Sequence, residues 1–304
     1  MKTRLAVALL SAAFVSEAYS LDAGATVVNF DEFAVTRDGT TLFQDSFDRS
    51  ITLDGGSGSL VPSGTTFSDG TPANYFVQGS IAETPANNGQ AQLNTANGIV
   101  VAQQPPFIPV IQLVSLGLHT GTDPAEPHAL TKANTFSIIG LSDFAVPSQI
   151  LGTYQLHLSG PAPGLEIDLR VHETDTGPVL QLLWVNHANG QITIINQVAL
   201  TPAELANPQL EFELSHDVAN SDVVTAAYAF GSGNTLATFN GTLTTLGSTD
   251  SSTSPFDPAK LNITTPGFNA FDPVPEPSSL AILVTGLLGL AASRLPKKHL
   301  ATQP

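Results

Sequence analysis

Apolar and polar side chains alternate along most of this chain, and the alternation has a period of two. Tyr154, Leu156 and Leu158 alternate with Gln155 and His157. Leu165, Ile167, Leu169 and Val171 alternate with Glu166, Asp168 and Arg170, and residues 191–195 and 209–215 repeat the scheme. Successive side chains of a strand point to opposite faces, so each segment predicts a half-buried antiparallel strand. On this reading Glu166, Asp168 and Arg170 face water. Turn-forming residues separate these segments at 159–164, 176–178 and 186–190, where Gly, Pro and Asn cluster. Residues 179–198 predict a hairpin with Asn189 and Gly190 in its turn.

Further strands are expected at 26–30, 49–53, 99–102, 108–116, 134–139, 223–230 and 235–245. One helical start stands out: Thr201 as cap, Pro202 at the first helical position and Glu204 closing a capping box. Asn207 and Pro208 end it after about one turn. Many short strands with almost no helix predict an all-β fold, an antiparallel β-sandwich of jelly-roll-like or related type. A closed barrel is the alternative, since alternation alone does not distinguish the two. Segment 54–98 is poor in bulky apolar residues and rich in Gly, Ser, Asn and Pro. It reads as long surface loops with a few edge strands, or as an insertion. The expected organisation is a signal peptide at 1–20 and a β-domain with long loops at 21–246. A Pro/Ser/Thr-rich spacer with room for one last strand follows at 247–273, and a sorting and membrane segment at 274–304.

The two ends read as addresses. Lys2 and Arg4 precede an apolar run from Leu5 to Val15, and Ala18 and Ser20 are small residues suited to cleavage after Ser20. At the other end an uncharged run, Leu280 to Ala292, is followed by Arg294, Lys297 and Lys298. Thirteen helical residues span about 20 Å, short of the roughly 30 Å hydrocarbon core. Adding the flanking Ser278, Ser279, Ser293 and Leu295 brings the run to a borderline transmembrane helix, with the basic cluster kept on the cytoplasmic side. A buried helix at the end of the domain is the other reading.

Val274, Pro275, Glu276, Pro277 and the serines before Leu280, with the Leu/Gly-rich run and basic tail, resemble the PEP-CTERM sorting signal of Gram-negative bacteria. That resemblance implies processing by an exosortase, a membrane-embedded cysteine transpeptidase-like protease that recognises Pro275, Glu276 and Pro277. With a signal peptidase at the other end, it also implies export and transient membrane association, and localisation to the cell envelope, outer surface or extracellular matrix. Here the basic cluster is interrupted by Leu295 and Pro296, where many members have an unbroken Arg run. The resemblance covers residues 274–298 and implies nothing about what the body does.

Charge narrows the partners. Residues 21–275 hold 24 acidic side chains against five basic ones, Arg37, Arg49, Lys132, Arg170 and Lys260. Such a field repels nucleic acid and acidic polysaccharide and suits cations. The chain has no cysteine, which excludes disulfides, thiol catalysis and Cys-ligated metal.

The candidate chemistry is dispersed. Glu173 and Asp175, in a turn after the best strand, are the weak candidates for a structural Ca²⁺, with Asp31–Glu32 and Asp123/Glu126 equally eligible. The histidines, among them His119, His128, His157, His172, His187 and His216, show no His-Glu-x-x-His spacing. Glu166/Asp168 and Glu211/Glu213 form carboxylate pairs of the sort a glycosidase uses, and of the sort any solvent-facing strand carries. No nucleophile elbow, Walker motif or dinucleotide fingerprint is present. No residue is assigned a catalytic role. Trp184, the one tryptophan, is opposite in parity to Leu183 and Val185. It reads as sheet packing or as a ligand contact, with Tyr75, Phe76 and Phe107 as contributors to a binding rim. The expected function is a structural or binding protein associated with exopolysaccharide or biofilm matrix. The rival expectation is a secreted polysaccharide hydrolase using surface carboxylates.

Overall fold

The structure is a computed structural model that describes residues 27–84, 89–101, 111–121, 123, 125–143, 153–159, 165–174, 176–186, 191–207, 209–220, 223–231, 244–250 and 262–273. Residues 1–20 and 274–304, which carry the two addresses, lie outside it. The described part is nearly all strand. β1 (Val27–Arg37) and β2 (Thr40–Asp45) form a first hairpin, β3 (Ile51–Thr66) and β4 (Pro72–Thr84) a second. β5 (Gln90–Asn94), β6 (Ile99–Val101), β7 (Ile111–Leu118), β8 (Leu130–Thr131) and β9 (Phe136–Asp143) follow. A meander of β10 (Thr153–Ser159), β11 (Leu165–Thr174), β12 (Gly177–Asn186) and β13 (Gln191–Ala199) comes next. After α1 (Pro202–Leu205) come β14 (Gln209–His216), β15 (Val223–Gly231) and β16 (Thr244–Asp250), then β17 (Asn262–Ile263) and β18 (Gly267–Pro273).

All pairings are antiparallel. One sheet runs in the order β13-β12-β11-β10-β18-β7-β4-β5-β1-β9-β14-β15-β16, with β2 on β1, β3 on β4 and β6 on β7, and β17 pairs separately with β8. The sheet folds back on itself. β1 and β18 are not neighbours in the order, yet Phe30 of β1 stacks on Phe268 of β18 with ring centroids 3.8 Å apart, and Phe33 meets the same ring edge-on at 4.9 Å. The end strands β13 and β16 also approach each other. Apolar side chains of the layers meet in one core, where Phe30, Phe33, Tyr75, Ile81, Leu116, Leu169, Leu182, Phe212 and Phe268 are fully buried, whereas Ile192 and Ile194 of β13, expected on an inward face, are exposed.

The period-two segments become strands where the alternation places them, and residues 179–186 pair with 191–199 as a hairpin whose turn lies outside the described residues. α1 has the expected capping box: Thr201 Oγ1 accepts from the Glu204 amide at 3.3 Å, and Glu204 Oε2 accepts from the Thr201 amide at 2.7 Å. No helix among the described residues is long and apolar enough to cross a membrane.

Three expectations change. Residues 54–98 are mostly strand, paired into the sheet, and not surface loop. Their glycines mark bulges and close approaches. The β3–β4 register shifts between Asp54 and Gly56 and again before Ser59, and a Cβ on Gly55 would lie 1.9 Å from the Val77 carbonyl oxygen. Few apolar residues suffice there because Leu53, Ala73, Tyr75, Val77 and Ile81 all point inward.

Within the expected spacer, the last strand is interior. β18 lies between β7 and β10, and Phe268 fills the space that Gly140 leaves open, where a Cβ would fall 2.5 Å from its ring. Finally, Glu166 and Asp168 are buried and do not face water, and Glu166 Oε1 accepts from Asn269 Nδ2 of β18 at 3.1 Å.

Truncating Phe268 to Ala should cost about 3–5 kcal/mol in urea unfolding, as expected for a large aromatic removed from a closed core. A spacer residue would show no such loss.

Candidate functional site

A concavity among the described residues lies at one end of the layer made by β1, β9, β14 and β15. The local sequence explains its shape. Asp38 and Gly39 both take positive φ, 52° and 79°, and form the two-residue turn that Asp-Gly favours between twisted strands. Asp38 then clamps the neighbouring loop. Its Oδ1 accepts from the Thr135 amide and its Oδ2 from Asn134 Nδ2, both at 3.0 Å, while its own amide donates to the Thr135 carbonyl at 2.7 Å. His216 Nδ1 lies 2.7 Å from the Asn134 carbonyl, and Thr135 Oγ1 accepts from the Val218 amide at 3.1 Å. Three segments distant in sequence thus form one rim.

Beneath the rim is a cleft of about 330 Å³. Across its floor runs a row of hydroxyls in register: Thr36 opposite Ser137, Ser137 opposite Ser215, and Ser215 opposite Thr225. Thr36 Oγ1 and Ser137 Oγ are 2.8 Å apart. All four side chains are half-buried, whereas their in-strand neighbours Val35, Ile138, Leu214 and Val224 face the core. Glu213 lines one wall, with Asp217 and Asn220 at the edge. Burial pushes the Glu213 carboxyl above its ordinary range. In the adjoining region Glu211 is pushed up to about 7, first by burial and then by the charges of Glu213 and Glu32.

Two other polar clusters are interior. Arg49 donates from Nη2 to Asp45 at 2.5 Å and reaches Glu83 through Nε at 2.9 Å and Nη2 at 3.1 Å. The Tyr75 hydroxyl donates to the same Asp45 at 2.6 Å. Burial, followed by the charge of Asp45, pushes Glu83 up to about 7 despite the guanidinium. Elsewhere Asp31, at a bulge in β1, accepts from Gln90 at 2.6 Å and Gln209 at 3.3 Å, and Gln90 also donates to Asp143. Burial is the main cause that lifts Asp31 to about 6.

The sequence-derived candidates fall as follows. Trp184 is half-buried on β12 and packs against the core between the positions of Ile167 and Thr193. Tyr75 is fully buried and belongs to no rim, Phe76 is half-buried, and Phe107 lies outside the described residues. Glu173 ends β11, and its side chain, like all of Asp175, lies outside the described residues. Asp31 and Glu32 diverge, because Glu32 accepts from Gln44 at 2.6 Å. Asp123 and Glu126 cap their own turn: Asp123 Oδ1 accepts from the Ala125 amide at 2.9 Å and Glu126 Oε1 from the Asp123 amide at 3.2 Å.

His128 stacks on Phe67 at 3.7 Å and bonds Asp69 at 3.0 Å. Among the described residues no group of three or more His, Asp or Glu is arranged to hold a metal ion. The pair Glu211/Glu213 is only partly a surface feature, since Glu211 is buried and Glu213 half-buried. Pro275, Glu276, Pro277, Arg294, Lys297 and Lys298 lie outside the described residues. Thr36, Ser137, Ser215 and Thr225 were not singled out by sequence reasoning. Their one signal is that each occupies a polar position of an alternating strand, and the register that aligns them is not written in any one segment.

Three carboxyls with raised pKa, the buried Glu83 and Glu211 and the half-buried Asp31, make stability depend on pH. The unfolded groups titrate near about 4, so the folded state holds extra protons between there and about 6 for Asp31 and about 7 for Glu83 and Glu211. Their contribution is complete below the unfolded values and is lost as pH rises through 6–7. The melting temperature should therefore be several degrees higher at pH 5 than at pH 8. Glu211→Gln should shrink that difference more than the same charge change at exposed Asp54 (Asp54→Asn). Removing the shared cation by Arg49→Ala should cost about 3–5 kcal/mol at pH 8, measured by urea unfolding, because two buried carboxylates lose their partner.

No curated protein matches this chain. Among solved structures, arcelin-5, a lectin-like defense protein from Phaseolus vulgaris, aligns over 81% of this chain and 89% of that chain, at 11% identity and a TM-score of 0.23. Residues 273–295 match the family model described as the PEP-CTERM protein-sorting motif. The match takes in Pro275, Glu276, Pro277, the apolar run and Arg294, and it starts at Pro273, the last residue of β18. Over residues 273–295, then, this chain carries a PEP-CTERM protein-sorting motif.

Proposed function

We propose that the chain is an exported protein of the Gram-negative cell envelope or extracellular matrix, held transiently by its C-terminal segment and processed there by an exosortase. The sorting motif at 273–295 is the observation that carries this reading. The body between the addresses is an antiparallel β-sandwich that serves as a structural or binding domain associated with exopolysaccharide. Supporting this are the doubled antiparallel sheet, with Phe30 stacked on Phe268 between its layers, and a polar cleft on its outer side. The acidic body stays soluble outside the cell and is repelled by other polyanions.

One observation favours a second reading, a polysaccharide hydrolase. Glu211 is pushed up to about 7 by burial and by the charges of Glu213 and Glu32, and a carboxyl with a raised pKa beside a second carboxyl is a feature of acid-assisted glycoside cleavage. Loss of glycan cleavage in Glu211→Gln, with folding intact, would favour the hydrolase over the binding domain.

Processing is tested by intact-mass measurement of cell-associated and released protein. The expected result is a released form lacking both the N-terminal signal and the tail beyond the sorting motif, and retention of the tail when Pro275, Glu276 and Pro277 are replaced by Ala. A full-length cytoplasmic chain with both ends retained would sink the proposal.

A further inference from the structure

We infer that the hydroxyl-lined cleft beside the Asp38–Gly39 turn is a glycan subsite selective for neutral or amino sugars. This deepens the reading of the body as an exopolysaccharide-associated domain and rests on it. The argument begins with register. Thr36, Ser137, Ser215 and Thr225 come from β1, β9, β14 and β15, and the ladder places them in a single row across four strands. Strands lie about 4.8 Å apart, so the row extends about 14 Å. That is an extended array, suited to a chain of polyol units and larger than a site for one small ion. A hydroxyl both donates and accepts and rotates to suit its partner, so a row of them matches ligands whose own groups are hydroxyls. The Thr36–Ser137 contact at 2.8 Å engages one O–H of that pair, Thr36 Oγ1 also accepts from the Ser137 amide at 3.3 Å, and Ser215 Oγ donates to the Thr225 carbonyl at 3.5 Å, so each hydroxyl of the row keeps only part of its bonding capacity for a ligand.

The charges around the row set the selectivity. Glu213 lines the wall and Asp217 the edge, while the described lining residues include no Lys or Arg. The nearest arginine in sequence, Arg37, turns away and donates to the carbonyls of Pro127 at 2.6 Å and Ala129 at 3.1 Å. A uronic acid would meet carboxylates with no compensating cation, and a neutral sugar would meet acceptors for its hydroxyls. An amino sugar would add a charge-assisted bond to Glu213 or Asp217. Burial holds the Glu213 carboxyl above its ordinary range.

Phe136 and His216 stack on each other at 5.1 Å and are both buried, so they form the packed base and offer no stacking face. Recognition therefore runs through hydrogen bonds. The rim is held in place before ligand arrives by the bonds among Asp38, Asn134, Thr135 and His216. A pre-ordered rim lowers the ordering cost of binding.

The test is calorimetric titration of the full-length chain, kept in detergent, with cellohexaose, a glucosamine hexamer and a galacturonic acid hexamer. The expected result is binding of the first two, with the galacturonate at least tenfold weaker. The double variant Ser137→Ala/Ser215→Ala should weaken cellohexaose binding at least tenfold at an unchanged melting temperature. Thr225→Val, which keeps the side-chain shape and removes one hydroxyl, serves if the double variant misfolds and should weaken binding severalfold. Equal binding by wild type and variants overturns the cleft assignment, as does preference for galacturonate. Wild type that binds no hexamer yet still co-sediments with matrix polysaccharide overturns the cleft and leaves matrix association standing. Absence of both overturns both.

Discussion

The packing of Phe268 joins the halves of this molecule. Its strand lies between β7 and β10, while its ring is stacked on Phe30 and edge-on to Phe33 from β1, several strands away in the sheet order. From Phe33 the contacts continue through Phe43 at 5.9 Å to Tyr75 at another 5.9 Å, and the Tyr75 hydroxyl ends the series on Asp45. An aromatic column thus crosses the core and delivers one polar tip to a buried ion cluster. Such a tip is tolerated inside only when it is bonded, and Asp45, itself held by Arg49, supplies that partner. Gly140 makes the column possible, since any side chain there would occupy the Phe268 ring.

A sheet doubled in this way covers strands that would otherwise keep one wet face. The consequence is an unusual load of buried carboxyls in an acidic protein. Asp45, Glu83, Asp168 and Glu211 are all below a tenth exposed. Each must be bonded, paired or protonated, because an ionised carboxylate alone in a low-dielectric interior is strongly disfavoured. A guanidinium lies between Asp45 and Glu83 and the pKa is raised at Glu211, while the half-buried Asp31 is held by two amide side chains. The same arrangement leaves the hydroxyl row of the outer face half-exposed beside a carboxyl wall, which gives the cleft its polar, cation-free character.

The sorting motif begins where β18 ends, at Pro273. β18 is an interior strand with seven paired positions on β7 and five on β10. One residue, Val274, separates Pro275 from a strand whose removal would open the sheet between β7 and β10. The address is therefore joined directly to a part of the fold that must be in place for the core to close.

Much of this was legible in the residues themselves. Period-two alternation at 165–171, 191–195 and 209–215 determined strands, because side-chain direction in a strand is a local property, and at 167–171 and 210–214 it also gave the inward face; at β13 it did not, since Ile192 and Ile194 are exposed. Thr201, Pro202 and Glu204 determined a one-turn capped helix for the same reason, and Pro275, Glu276 and Pro277 determined the sorting motif, which is a linear signal. The tertiary structure decided what depends on partners distant in sequence. It made strands of the Gly-rich 54–84 region, because glycine there answers a close approach of Gly55 to Val77 that no window around residue 55 contains. It put Phe268 at the centre because Gly140, 128 positions away, leaves the space. It covered the outer faces of Glu166, Asp168 and Glu211, which alternation alone assigns to water. And it aligned Thr36, Ser137, Ser215 and Thr225 in one row, since register between strands is set by hydrogen bonding and by the core face each strand must bury, and neither is expressed within a single strand.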